Sequence, residues 1–450
     1  MKRTLLVLVA AASMAVPFLP STAAPTESSE NVRLSASIPF LGGTDLDFAD
    51  HYAYVGSFEN ADGGLYVVDI ATPSKPKLVG RYLCPGYQDD VGIWRTTVVM
   101  GMHYAQERSG CKAHELGGLR IVDVSDPTKP AELAFLEIEP RGTHTVTIVG
   151  DTGFVYANSG GLGDNDGEKA TTIVDIRDPA HPKVVGTFLP PGSTGCHDIN
   201  VVGERAYCAG SNVTLILDVA DPVHPRVISS ISNPLIEFSH GAAPSSDGDT
   251  LVIADEAYNI QICDPQGFNP TGAFWFYDIS NEEEPVLEGW IGQTGRLALG
   301  SLLFPLPGWC TAHNFNMVPG KDWMVAASYS GGTSVIDFTD PAEPQVIGWI
   351  TPAGADTWSS YFYRGYVYTG DMQRGFDVIA MDELVTLAGA STSAPPAPKP
   401  ADPAVGGTKT TRPAPGGSLP GTGVGVPLAA WGFLATGGAL AWSLRRRSSL

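Results

Sequence analysis

Four of the nine histidines stand in one recurring setting, as the residue that opens an apolar run. They are His144 in GTHTVTIV, His197 in GCHDINVV, His240 in FSHGAAP and His313 in TAHNFNMV. Neutral imidazole is the commonest side-chain metal ligand, and nearby carboxylates complete or orient such a shell. Asp45 and Asp90 (or its neighbour Asp89) occupy the matching place in two other stretches, and Trp358 in a third. Asp255 and Glu256 open the long loop between the second and third strands of the unit that carries His240. The four histidines are therefore candidate metal ligands. Asp45, Asp90, Asp255, Glu256 and Trp358 are candidate ligand contacts around them. Copper and zinc both suit imidazole, so a transition metal is the expected cofactor with its identity open. The architectural reading of the same repeat is a backbone slot that favours His, each ring bonding a neighbouring carbonyl. His181 and His224 lie in AHP and VHP turns and are expected to face solvent.

Residues this far apart in sequence meet only if a repeat brings them round. One phrase recurs: a β-branched or aromatic run ending in Asp, a Pro-bracketed turn, then a second apolar run. It begins at Leu65, Leu119, Thr171, Thr214, Phe274 and Thr333, with the Asp at 69, 123, 175, 218, 278 and 337. The runs suit a pleated surface, Asp can accept turn amides, and Pro presets φ. Two more strands fit between phrases, such as Thr145–Val149 and Gly153–Ala157. Four strands per 40–60 residues is the period of a propeller blade. In the last unit, Phe362–Thr369 and Gly375–Met381 supply strands, Ala380 replaces the Asp, and no outer strand follows. Val32–Ile38 is the missing strand, so the N-terminus is expected to close the ring. The expected fold is an all-β, seven-bladed β-propeller over residues 31–387. The inner strands would then bring the four histidines to one rim near the axis.

The phrases resemble the LVIVD repeat of secreted bacterial and archaeal proteins, and the whole pattern is similar to the choice-of-anchor B propellers. That resemblance implies fold and location and leaves the chemistry open, since propellers host many functions.

The ends read as addresses. Lys2 and Arg3, an apolar run to Leu19 and the small residues Ser21-Thr22-Ala23 form a secretory signal over 1–23. Residues 388–418 are a Pro/Gly/Ala-rich spacer of the kind that stays disordered. Leu419-Pro420-Gly421-Thr422-Gly423 follows, then an apolar stretch at 424–444, long enough to span a bilayer, and Arg445-Arg446-Arg447. Motif, span and basic tail resemble the LPxTG cell-wall sorting signal of Gram-positive surface proteins. The resemblance implies cleavage after Thr422 by a sortase and linkage of Thr422 to peptidoglycan. An ordinary single-span anchor is the alternative, and either way the body lies outside the cell. Six cysteines (84, 111, 196, 208, 263 and 310), with no CxxC pair, then suggest up to three disulfides of open pairing.

Composition narrows the function further. Hydrophobic residues at 43% against 17% charged indicate a folded core. With 27 Lys+Arg against 48 Asp+Glu, a net charge of −21 excludes nucleic acid as a partner. The acidic run Asp164-Asn165-Asp166-Gly167-Glu168 has a calcium-loop look without EF-hand spacing, the alternative being a solvated turn. The Gly292–Pro307 insertion is apolar. No GxSxG, HExxH, Walker loop or Rossmann fingerprint is present. Three uses of the His-lined rim stay open: binding a small ligand or partner, metal-dependent extracellular catalysis with Glu256 or an Asp as proton acceptor, and a surface adhesion module in which the rim is only architecture.

Overall fold

The computed structural model describes residues 26–58, 63–84, 86, 88–103, 117–138, 142–159, 170–257, 270–292 and 309–390. Seven antiparallel sheets of consecutive strands follow one another along the chain. Blade 1 runs Gly43–Ala49, Tyr52–Ser57, Leu65–Asp69 and Lys77–Tyr82 from axis to periphery, and blade 4 runs Asp198–Val202, Arg205–Ala209, Thr214–Asp218 and Arg226–Ile231. Inner strands of successive blades touch all the way round, the seventh against the first. The ring is closed.

The core explains why the strands read as unbroken apolar runs. Each of seven hydrophobic clusters lies between two adjacent blades, so both faces of a blade are covered. Leu65, Val67 and Val98 pack between blades 1 and 2, while Tyr66, Val68 and Phe376 pack between blades 7 and 1. A strand buried on both faces has no polar side to alternate with.

The repeated Asp ends each third strand and does one job six times. Its carboxylate accepts the amide N–H two residues on: Asp69 from Ala71 at 2.9 Å, Asp123 from Ser125 at 2.9 Å and Asp175 from Arg177 at 3.0 Å. Asp218, Asp278 and Asp337 repeat the bond to Ala220, Ser280 and Thr339. This local turn sends the chain back into the outer strand. In blade 7 the Asp is absent, and helix α1 (Asp382–Ala390) replaces the turn. The helix takes in 388–390, where the spacer was expected to begin.

Val32–Pro39 supplies the outer strand of blade 7, pairing antiparallel with Gly375–Met381 from Val32↔Met381 to Pro39↔Gly375. The expected run Phe362–Thr369 is divided between two strands, Thr357–Tyr363 and Tyr366–Asp371. Arg364 and Gly365, both at positive φ (47° and 87°), make the tight turn between them. Glu27–Ser28 was not anticipated as a strand and adds a fifth to blade 6, on Gln345–Thr351.

Cys196–Cys208 is a disulfide across the first two strands of blade 4, and Cys84 and Cys310 are also disulfide-bonded. Among the described residues, no helix is long and apolar enough to cross a membrane. The expected signal at 1–23, the spacer beyond 390, the motif Leu419–Gly423, the span 424–444 and the acidic run Asp164–Glu168 lie outside the described residues.

Deleting residues 26–39 would bare the edge of Gly375–Met381. We expect the cooperative thermal transition to be lost and soluble aggregates to form by edge pairing, read by calorimetry and size-exclusion chromatography.

Candidate metal centre on the propeller axis

The four repeated histidines converge. In three blades the histidine N–H donates to the carbonyl of the residue ending the second strand: His144 to Asn158 (2.6 Å), His197 to Ala209 (2.7 Å) and His313 to Ala327 (3.0 Å). In blade 5 the register shifts between Ser239 and Gly241, so His240 sits in a bulge. All four are at most 4% exposed. Their rings form an arc, with centroids 4.4 Å apart for His144–His197, 4.5 Å for His197–His240 and 4.2 Å for His240–His313.

His103 extends the arc to a fifth blade. It follows the second strand of blade 2, and its Nε2 lies 2.7 Å from His144 Nδ1. It stands at no repeated position of the sequence. The usable signal was its place on the same rim, just past the end of a strand.

Glu256 joins the arc as anticipated. Its Oε2 is 3.6 Å from His240 Nε2 and its Oε1 is 3.8 Å from His313 Nε2. Ligand atoms of His197, His240 and Glu256 all lie within 4.8 Å of one another, and all three residues are buried. Four ligands about 2.0–2.1 Å from a tetrahedral zinc are themselves roughly 3.4 Å apart. The spacings at Glu256 are a few tenths of an ångström wider and the triad as a whole lies within 4.8 Å, so a divalent ion would draw the donors inward, and two imidazoles with a carboxylate are a donor set that suits one. A chamber bounded by His144, His240, His313, Asp90, Asn314 and Trp358 holds about 20 Å³, room for one water-sized body.

The protonation states suit ligation. Burial and the neighbouring imidazoles hold His240 well below the usual histidine range, and burial takes His313 down to about 3. His313 Nδ1 lies 2.5 Å from the Trp358 carbonyl, which can only accept, so Nδ1 carries the hydrogen and Nε2 presents its lone pair toward Glu256. Trp358 also stands edge-on to the His313 ring at 4.5 Å. His240 Nδ1 has no hydrogen-bond partner among the described residues.

Of the expected contacts, Asp90 borders both the histidine chamber and the channel, whereas Asp45 lines only the channel, with Asp198. The pleat explains the difference. Alternate inner-strand residues, such as Asp45 and Asp47 or Asp198 and Asn200, face the channel, whereas His144 and His197 precede their strands and face its mouth. Asp45 accepts from Tyr361 Oη (2.6 Å) and Asn314 Nδ2 (3.1 Å) and is hydrogen-bonded to Asp90. Burial raises Asp45 to about 7 and, helped by the charge of Asp45, Asp90 well above the carboxylate range. The pair holds a proton between them.

Asp255 does not join the site. Its carboxylate accepts the N–H groups of Glu237, Phe238 and Gly272, each at 2.9 Å. It clamps the connections around blade 5, as Asp371 does in blade 7 by accepting from Asp356, Gln373 and Arg374. His181 and His224 are exposed turn residues bonded to Asp178 and Asp221.

Fold and axis together define a seven-bladed β-propeller with a buried imidazole arc at one mouth. The chain carries LVIVD repeats, matched at residues 165–189 and 193–233, beside a match to a beta propeller domain at 47–162. No curated protein matches the sequence. Among solved structures it resembles U3-55K (10% identity, 78% of this chain and 98% of that one, TM-score 0.52) and a protein from Lactobacillus plantarum (12%, 70% and 86%, 0.51). A putative 6-phosphogluconolactonase from Bacteroides fragilis NCTC 9343 is similar at 12% identity, over 69% and 85%, with TM-score 0.50. At these identities the likeness is one of fold alone.

The carboxyl pair sets a pH dependence. A carboxyl whose folded pKa is raised from 3.8 to about 7 imposes no penalty below pH 4, a growing one between pH 4 and 7, and a constant one above. Asp45→Asn should therefore stabilise the protein at pH 8 by a few kcal/mol, at about 1.4 kcal/mol per pKa unit. At pH 4 it should have little effect, and denaturant unfolding at both pH values checks the difference.

Proposed function

We propose that this protein is an exported, surface-anchored propeller that binds a divalent transition metal ion at its axis. His197, His240 and Glu256 are the core ligands, with His313 and His144 beside them. The observation that carries the reading is the convergence of these buried donor atoms within 4.8 Å of one another. Burying four imidazoles and a carboxylate costs free energy that apolar residues would not, and a bound ion is a partner that would offset it. An ion held by neutral imidazoles and one carboxylate with a further position open would act as a Lewis acid toward an oxygen or nitrogen ligand entering the mouth. Copper and zinc both meet the donor set.

Export and anchoring rest on the order of signal, spacer, LPxTG motif, apolar span and arginines, with sortase and peptidoglycan as the partners at Thr422. The disulfides at Cys84, Cys196, Cys208 and Cys310 suit an oxidising compartment.

Metal analysis of the purified protein should find one equivalent of Zn2+ or Cu2+. Competition titration should show His240→Ala and Glu256→Ala weakening it at least 100-fold, with His181→Ala unchanged. A metal-free protein that takes up neither ion would leave binding of an organic ligand or plain architecture as the role of the arc. Cell fractionation should find Thr422→Ala protein no longer covalently attached to the wall.

A further inference from the structure

Tyr329 stands out among residues no motif marks. It is 1% exposed, yet its φ is +47°, a left-handed conformation rare for an aromatic residue. Several contacts hold it there. Its backbone exchanges both hydrogen bonds with Thr357, N–H to carbonyl at 3.0 Å and 2.9 Å. Its ring stacks on Trp309 (centroids 4.2 Å apart, planes 16° apart) and lies edge-on to Trp358. Trp309 is itself tied by its indole N–H to the Ala257 carbonyl, next to Glu256. The outcome of this over-determined placement is one bond: the Tyr329 hydroxyl donates to Glu256 Oε1 at 2.5 Å.

We infer that Tyr329 is a positioning residue for the axial site, holding Oε1 of Glu256 by its hydroxyl and so presenting Oε2 to the ion beside His240. This rests on the metal-binding reading above and says how the carboxylate would bind: through one oxygen, in a fixed orientation, leaving a coordination position for an incoming ligand. Loss of that bond removes one restraint on the carboxylate and favours its turning to use both oxygens, which fills the open position. Strained backbone that serves only packing would be relieved by glycine or asparagine, which adopt this φ readily. Here the side chain is what the strain delivers, since the hydroxyl reaches the buried carboxylate of Glu256 in the adjacent blade.

The test uses Co2+ as the probe, because its visible absorption reports coordination number. The full-length protein, Tyr329→Phe, Glu256→Ala and the double variant are titrated with Co2+, with Zn2+ competition for affinity. Removing an outer-shell partner typically weakens metal binding 10–100-fold. We expect that loss in Tyr329→Phe, together with weaker d–d bands as the coordination number rises, while its melting temperature in the absence of metal shows the fold retained. In the Glu256→Ala background the Phe substitution should add nothing, because Tyr329 acts through the carboxylate. Wild-type affinity and spectrum in Tyr329→Phe, or an equal further loss in the double variant, would overturn the inference while the metal site stands. Absence of Co2+ and Zn2+ binding in the unaltered protein would overturn both. Should Tyr329→Phe fail to fold, Trp309→Leu, which keeps the hydroxyl and loosens its support, must show the same spectral change in smaller degree or the inference falls.

Discussion

Ring closure through backbone hydrogen bonds is the constraint on which everything else rests. Val32–Pro39 and Gly375–Met381 come from opposite ends of the propeller and pair across their whole length. An open stack of seven sheets would leave edges at both ends and would not hold the first and last inner strands in contact. With the ring closed, every blade face is covered by a neighbour, and every inner strand is directed at one axis. The imidazole arc, drawn from five blades, follows from that geometry. The closure is reinforced on several sides. Ser37 donates to Asp377 and accepts from Arg374, Arg33 pairs with Asp382, and Asn31 reaches Glu383 at the start of the helix. These latches cross from the Val32–Pro39 strand and its approach to the last blade, so the joint is held by side chains as well as by its ladder.

The axis is built in two layers of unlike chemistry. At the mouth lie neutral imidazoles and Glu256. Further along the channel lie Asp45, Asp198 and Tyr361, with Asp90 and Asn314 bordering both layers. Burial drives both layers toward neutrality, histidines by losing protons and aspartates by keeping them. An imidazole without its proton is a good donor to a soft or borderline ion, whereas a protonated aspartic acid is a poor one. The same low-polarity surroundings therefore favour the upper layer as the proposed metal centre and make the lower layer a hydrogen-bonded floor. The aromatic wall of Trp309, Tyr329 and Trp358 closes one side and orients the carboxylate.

Where residues act locally, their roles were readable from sequence. The Asp of each phrase was expected to hold a turn, and it does so by the same bond in six blades. The four histidines were recognised because each opens the same strand. Asp255 was misjudged because a carboxylate beside Glu256 looks like a ligand in one dimension, while in space it satisfies three backbone amides. Asp45 lies in the channel and not at the mouth, since the register shift at the start of its strand moves the side chain, whereas Asp90 does border the histidine chamber. His103 and Tyr329 left little trace: each lies outside the strands beside it, with no repeat partner in the other blades.

Blade count, the strand that closes the ring, and the candidate histidines were determined by the amino-acid sequence alone, because each depends on periodicity or on bonds within a few residues. Which donor atoms converge, which carboxylate turns toward them, and how Tyr329 reaches Glu256 were decided only by tertiary structure. Those contacts join residues from different blades, and their distances depend on how each sheet packs and twists against the next, which no local pattern encodes.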